Sequence, residues 1–221
     1  MERQITVKGI GTMTVPVDYV EIKFTLDEMN KDYKKGYEIF EKNILELQKI
    51  IKSIGFKKED LKASEINVSP EYDDIKKNGK YIDVFKGYNF VTELKLCFDF
   101  DSKKLGEVFS LTSEAKCTPK IDVEFTVKDK EAVKKGLLAN AAKDAREKAN
   151  ILCEAMDVKL GNLITINYNW SEINIHSYTN YSLNNLKTMG TCCREESLLD
   201  FTPDDISVTD NASFIWEIEN I

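Results

Sequence analysis

Between Asn140 and Ile166 the chain reads NAAKDAREKANILCEAMDVKLGNLITI. Ala141, Ala145, Ala149 and Leu152 recur at helical spacing, and Met156 continues the row. The face they make is apolar but built mostly of small residues, which lets a helix lie close against a sheet. Asp144 and Lys148 stand four apart, acid first, on the solvated side. Asp157 stops the periodicity. Gly161 predicts a turn, and Leu163, Ile164, Thr165 and Ile166 begin a strand. This is a packing stretch, and it carries no catalytic group.

The same pattern reading orders the rest of the chain. Gln4 to Gly9 predicts a first strand, with a bend or bulge at Gly9 and Gly11. From Tyr19 to Glu28, Val20, Ile22, Phe24 and Leu26 alternate with Glu21, Lys23 and Thr25, as in a strand with one wet face. Lys31 to Ile54 is an amphipathic helix with the stripe Tyr33, Tyr37, Phe40, Ile44, Leu47 and Ile51, closed by Gly55. Leu61 to Glu71 is a third strand. Asp73 to Lys80 is polar and holds Asn78-Gly79, a strong hairpin signal, before a long strand from Tyr81 to Phe100 with a bulge or bend at Gly87.

Ser102 is placed to cap a second helix, Lys103 to Ala115, buried through Leu105, Val108, Phe109 and Leu111. A strand from Pro119 to Val127, the long helix from about Asp129 to Met156, and the strand Leu163 to Tyr168 follow. Trp170 to Asp205 is rich in Asn, Ser, Tyr and Thr and predicts a long loop. Ile206 to Ile221 closes the chain as a strand interrupted near Asp210-Asn211. Strands arriving in pairs between helices predict an α+β fold, mostly antiparallel, with long helices packed on one face.

Composition narrows the function classes. The 221 residues can form one large domain or two small ones, and are enough to bury a substantial core. A net charge of −7 argues against a general nucleic-acid binder. No stretch has transmembrane length and no signal peptide precedes the first strand, so no transmembrane segment and a cytoplasmic location are expected. A cleaved leader would instead put the protein in the periplasm or cell envelope. Five cysteines at irregular spacing do not make a secreted disulfide framework.

Four segments together resemble the SIMPL-domain family, bacterial periplasmic and outer-membrane-associated proteins of poorly defined biochemistry. They are ITVKGIGTMTVPVDYVEIKFTL, GYNFVTELKLCFDF followed by KKLGEVF, DAREKANILCEAMDVKLGNLITI, and the closing strand after a variable insertion. They run in the family's order over nearly the whole chain. The resemblance implies one SIMPL-like domain over residues 1–221 with a loop insertion at about 170–205. It also implies oligomers, since some members assemble into rings. Members are linked to oxidative-stress tolerance, to membrane association and, in animals, to a kinase signalling pathway. The resemblance carries over no catalytic residue.

The residues offer little chemistry. His176 is the only histidine, and no nucleophile motif stands near it, so it reads as an exposed loop residue. One histidine leaves no His-rich zinc site. Cys192-Cys193, followed by Arg194, is the sharpest chemical feature. Such a pair can form a vicinal disulfide, bind a soft metal or react with oxidants, or it is two ordinary loop thiols. Cys117 is a candidate resolving or third-ligand thiol. The acid pairs Asp73-Asp74, Glu195-Glu196 and Asp204-Asp205 read as solvated charge. Gly9 and Gly11 have no third glycine and open no helix, so the phosphate-binding fingerprint fails. Trp170, Tyr178 and Tyr181 are candidate contacts of a partner surface, near Tyr168.

Two functions stand on this reading. The first is a non-enzymatic binding or self-assembly module, a homo-oligomer with room for a protein partner, whose contacts come from the loop. The second is thiol-based redox or oxidative-stress work through Cys192 and Cys193. No catalytic residue, metal ligand or cofactor is assigned.

Overall fold

The computed structural model describes residues 3–77, 80–169, 172–183 and 202–220. In chain order the elements are β1 (Gln4–Val15), β2 (Tyr19–Asn30), α1 (Tyr33–Ser53), β3 (Leu61–Lys77) and β4 (Lys80–Asp99). There follow α2 (Ser102–Ser113), β5 (Lys120–Thr126), α3 (Lys130–Ala155), β6 (Val158–Asn167), β7 (His176–Leu183) and β8 (Ile206–Asn220). The strands form a three-stranded sheet, β1-β8-β6, and a five-stranded sheet, β3-β4-β2-β5-β7. The pairs β1·β8, β6·β8, β2·β4 and β3·β4 are all antiparallel. The fold is α+β, as the pattern predicts.

The chain divides into two compact units. The first holds residues 1–17, 126–178 and 204–221, and the second holds 18–125 and 179–203.

In the first unit α3 lies on β1 and β8. Its buried residues are Val133, Leu137, Ala141, Ala145, Ala149 and Cys153, spaced four apart. The row keeps the four-residue step to Cys153, and Leu152 and Met156 are exposed. Such a row is inclined to the helix axis, so the contact line follows the strand it crosses. Gly9 and Gly11 face this row and make no bend, since β1 pairs with β8 without interruption from Gln4↔Glu217 to Val15↔Ile206. A Cβ on Gly9 would stand 2.0 Å from the Ala141 carbonyl oxygen, and one on Gly11 would stand 1.9 Å from that of Leu137. The glycines are there for close approach.

The expected break at Asp210-Asn211 is also absent. Asp210 is buried within β8, where it accepts from the Tyr168 hydroxyl and the Asn211 N–H, both at 2.7 Å. With its carboxylate satisfied inside, the strand needs no turn there. The strand expected from Leu163 starts at Val158, right after Asp157, whose φ of 51° ends the helix. Gly161 sits at a register shift inside β6.

In the second unit α1 packs on β2 and β4, with α2 beside it. Val20, Ile22, Phe24 and Leu26 of β2 and Phe90, Leu94 and Leu96 of β4 are buried, and Phe40, Leu47 and Ile51 are the buried apolar side chains of α1. Each such side chain contributes about 1.5–3 kcal/mol. Lys23 stands opposite Lys95 in the β2·β4 register. Glu124 meets Lys23 at 2.7 Å and Glu21 meets Lys95, so the like charges are separated by acids.

Three local expectations change. Asp101, not Ser102, caps α2, because its carboxylate accepts from both Lys103 N–H and Lys104 N–H. Thr112 is buried in that helix where Leu111 was expected. His176–Leu183, expected as loop, is a strand at one end of the five-stranded sheet. The turn residues Asn78 and Gly79 lie outside the described residues, while the flanking pair Lys77↔Lys80 is that of a hairpin.

Gly11→Ala drives a methyl group into the helix backbone and is expected to cost about 3 kcal/mol, the upper end for overpacking. Gly55→Ala meets no atom within 4 Å, but the φ of +97° there strains any L residue. It should cost about 1–2 kcal/mol. Urea midpoints of the two variants, at unchanged m, check the contrast.

A pH effect follows from Asp144. Its hydrogen bond to Lys148 and the Ile10 N–H hold its carboxyl below the ordinary 3.8. A carboxyl lowered in the folded state stabilises above its unfolded value, and that gain is lost as pH falls through the folded value. The stability difference between wild type and Asp144→Asn should therefore be present at about pH 6 and shrink as pH falls below the ordinary 3.8, as read from urea midpoints.

Candidate functional site

β2 has 12 residues, while β3 has 17 and β4 has 20. The β2·β4 pairing ends at Asn30↔Tyr88. The β3·β4 pairing continues to Lys77↔Lys80. Residues 71–77 and 80–87 therefore form a two-stranded ribbon beyond the last β2 pair. A ribbon of two strands is marginal in water by itself. The sequence pattern placed residues 73–80 in a polar connection, because Asp73-Asp74 and Lys76-Lys77 mask the alternation. The bulge expected at Gly87 is present, since Glu71 pairs with Gly87 and Tyr72 with Phe85, leaving Lys86 as the extra residue.

A row of aromatic rings runs from the core onto this ribbon. Phe40 and Phe90, both buried, stand 5.8 Å apart. Phe90 contacts Tyr33 at 5.4 Å, and Tyr33 meets Tyr88 edge-on at 5.3 Å. Tyr88 contacts Phe85 at 5.1 Å, and Phe85 contacts Tyr72 at 5.6 Å. Tilted and edge-on pairs like these favour the aromatic quadrupoles. Phe90 is fully buried, Tyr88 is half-buried, and Tyr33 and Tyr72 are 51% and 58% exposed. Tyr33 and Tyr37, expected in the buried stripe of α1, are exposed. Ile66 and Val68 on β3, and Ile75, Ile82 and Val84 on the ribbon, are also exposed apolar residues.

The ribbon carries both signs of charge. Lys86 meets Asp73 at 3.4 Å, and the Lys76 ammonium lies 5.9 Å from the Tyr81 ring centroid. Asp74 and Asp83 are directly opposite in register. A hydrogen bond and the negative charge of Asp83 push the Asp74 carboxyl above its ordinary value.

The residues singled out by sequence are dispersed. Cys192, Cys193, Trp170 and the pair Glu195-Glu196 lie outside the described residues. Tyr178 is 85% exposed on β7, while Tyr181 packs on Phe109 at 5.0 Å. His176 is half-buried at the start of β7. Cys117 is buried, and its thiol is pushed up to about 11 by burial and by the charge of Glu46. A thiol held so far above neutrality is a poor nucleophile or ligand. Among the described residues no three His, Cys, Asp or Glu side chains are grouped to hold a metal ion, and no helix is long and apolar enough to cross a membrane.

The family model described as SIMPL, protein of unknown function (DUF541), matches residues 5–214. The chain belongs to the SIMPL family. No curated protein matches it. The SIMPL match reaches into both units and, ending within β8, covers the ribbon as well as α3. Pattern reading missed the aromatic row. The available signal was the length mismatch between β2 and the β3–β4 pair, together with Tyr72, Phe85 and Tyr88 around the hairpin.

A carboxyl raised in the folded state stabilises below its unfolded value, and the gain is lost as pH rises through the folded value. The ribbon should therefore be firmer in acid. After correction for intrinsic rates, ribbon amides should exchange more slowly at about pH 4 than at about pH 7. Asp83→Asn should remove most of that difference, as read by hydrogen-exchange mass spectrometry.

Proposed function

We propose that this SIMPL protein is a non-enzymatic binding and self-assembly module, and that the aromatic row on the β3–β4 ribbon is its contact surface. The observation that carries the reading is the row itself, which joins buried Phe90 to exposed Tyr72 on a ribbon that has no third strand among the described residues. Aromatic side chains anchored in a core and exposed at one end present large, rigid contact area at small entropic cost. The partner is a second copy of the chain. Lysines and aspartates interleave on the ribbon, so two copies meet with opposite charges available on both sides. Tyr178 on β7 is proposed as a second contact, supported by its exposure.

The test is light scattering after size exclusion on wild type and the double variant Tyr72→Ala/Phe85→Ala. Wild type is expected to be a discrete oligomer, and the variant a smaller species. Both side chains lie beyond the β2 pairing, so thermal stability should fall by no more than about 1–2 kcal/mol. A wild-type monomer at all concentrations, or a variant of unchanged mass, would overturn the reading.

A further inference from the structure

The row of small residues centres α3 on β1 and β8, and β6 is left as the outer strand of that sheet. Between α3 and β6 lies a groove of about 470 Å³. This is within the usual size of small-molecule sites, about 300–1,000 Å³. Its floor is Phe214 and Trp216, buried and stacked with centroids 5.5 Å apart and planes 18° from parallel. One wall is the helix flank Ala142, Arg146 and Asn150, spaced four apart. The other wall includes Leu163 and Ile166, which remain 46% and 55% exposed.

Among the described residues Arg146 is the only charged one lining the groove. It makes no ion pair among the described residues, and its flank neighbours Ala142 and Asn150 are uncharged. A lone guanidinium at a groove that sets Leu163, Ile166, Phe214 and Trp216 beside the amides Asn150 and Asn162, in a chain of net charge −7, is complementary to an apolar body with one anionic, hydrogen-bonding head. An added strand fits less well. β6 has register shifts on both sides of Leu163, and such bulges distort an edge against further pairing.

We propose that this groove binds a free amphipathic carboxylate of the fatty-acid type. The carboxylate pairs with Arg146, and the hydrocarbon lies on Phe214 and Trp216 between α3 and β6. This site is separate from the aromatic ribbon and stands or falls without it.

The test uses the full chain and dodecanoate below its micelle concentration. Binding is followed by calorimetry and by Trp216 fluorescence in a Trp170→Phe background. Wild type should bind dodecanoate at least about ten-fold more tightly than dodecanol, the share of one charge-assisted contact. Arg146→Gln should lose that ten-fold preference and melt like wild type, because residue 146 is exposed. Ile166→Lys should weaken both ligands.

Several outcomes would overturn the proposal. It is overturned if wild type binds neither ligand or binds both equally, or if Arg146→Gln keeps the preference for the acid. Binding to anionic phospholipid vesicles without binding of monomeric dodecanoate would assign the groove to a membrane surface. A change of oligomer mass in Ile166→Lys, with no dodecanoate bound by wild type, would assign it to a subunit contact.

Discussion

The contact of two backbones, β1 with α3, sets the form of the first unit. Where Gly9 and Gly11 pass Ala141 and Leu137, even one methyl group would not fit. Approach this close brings short polar side chains of the helix within reach of the strand. Asp144 accepts from the Ile10 N–H at 2.7 Å, and the Asn140 amide donates to the Thr12 carbonyl at 3.1 Å. Those groups belong to the side of β1 that has no strand partner among the described residues. A free edge is a template for unwanted pairing, and here helix side chains cap part of it. A larger residue in place of either glycine would lift the helix and open the edge together.

The same centring has a second consequence. One helix of small contact residues covers about two strands, and the sheet has three. β6 therefore keeps Leu163 and Ile166 half in water, with Arg146 on the helix flank above them. The groove is what remains when a narrow helix is packed tightly on one side of a sheet. The second unit follows the opposite course. There α1 packs through bulky side chains, and Gly36 is its point of close approach, where a Cβ would stand 2.4 Å from the Phe90 ring. Seating Phe90 in that notch lets Tyr33 and Tyr88 continue the aromatic row outward.

Much of the fold was legible because it rests on periodicity. The alternation in β2, the four-residue row of α3 and the paired strands between helices each specify an element by a repeating pattern. Single-residue signals were less secure. Glycine marks a bend and a close approach with the same letter, and only the facing helix distinguishes them at Gly9 and Gly11. Asp210 looks like a turn residue until Tyr168 is found beside its carboxylate. β7 was hidden because SYTNYS is polar on both faces, and its place in the sheet comes from pairing rather than burial.

The proposed contact surfaces were less legible than the fold, for a physical reason. Packing writes a period into the sequence, because each residue of a buried row faces the same neighbour element. A surface that waits for a partner has no such neighbour within the chain. Its residues are chosen against something the chain does not contain, so no internal period records them. What betrays it is a mismatch in the chain's own bookkeeping: strands longer than their partner, rings that continue past the edge of the core, or a cation without an acid. The ribbon shows the first two and the groove the third.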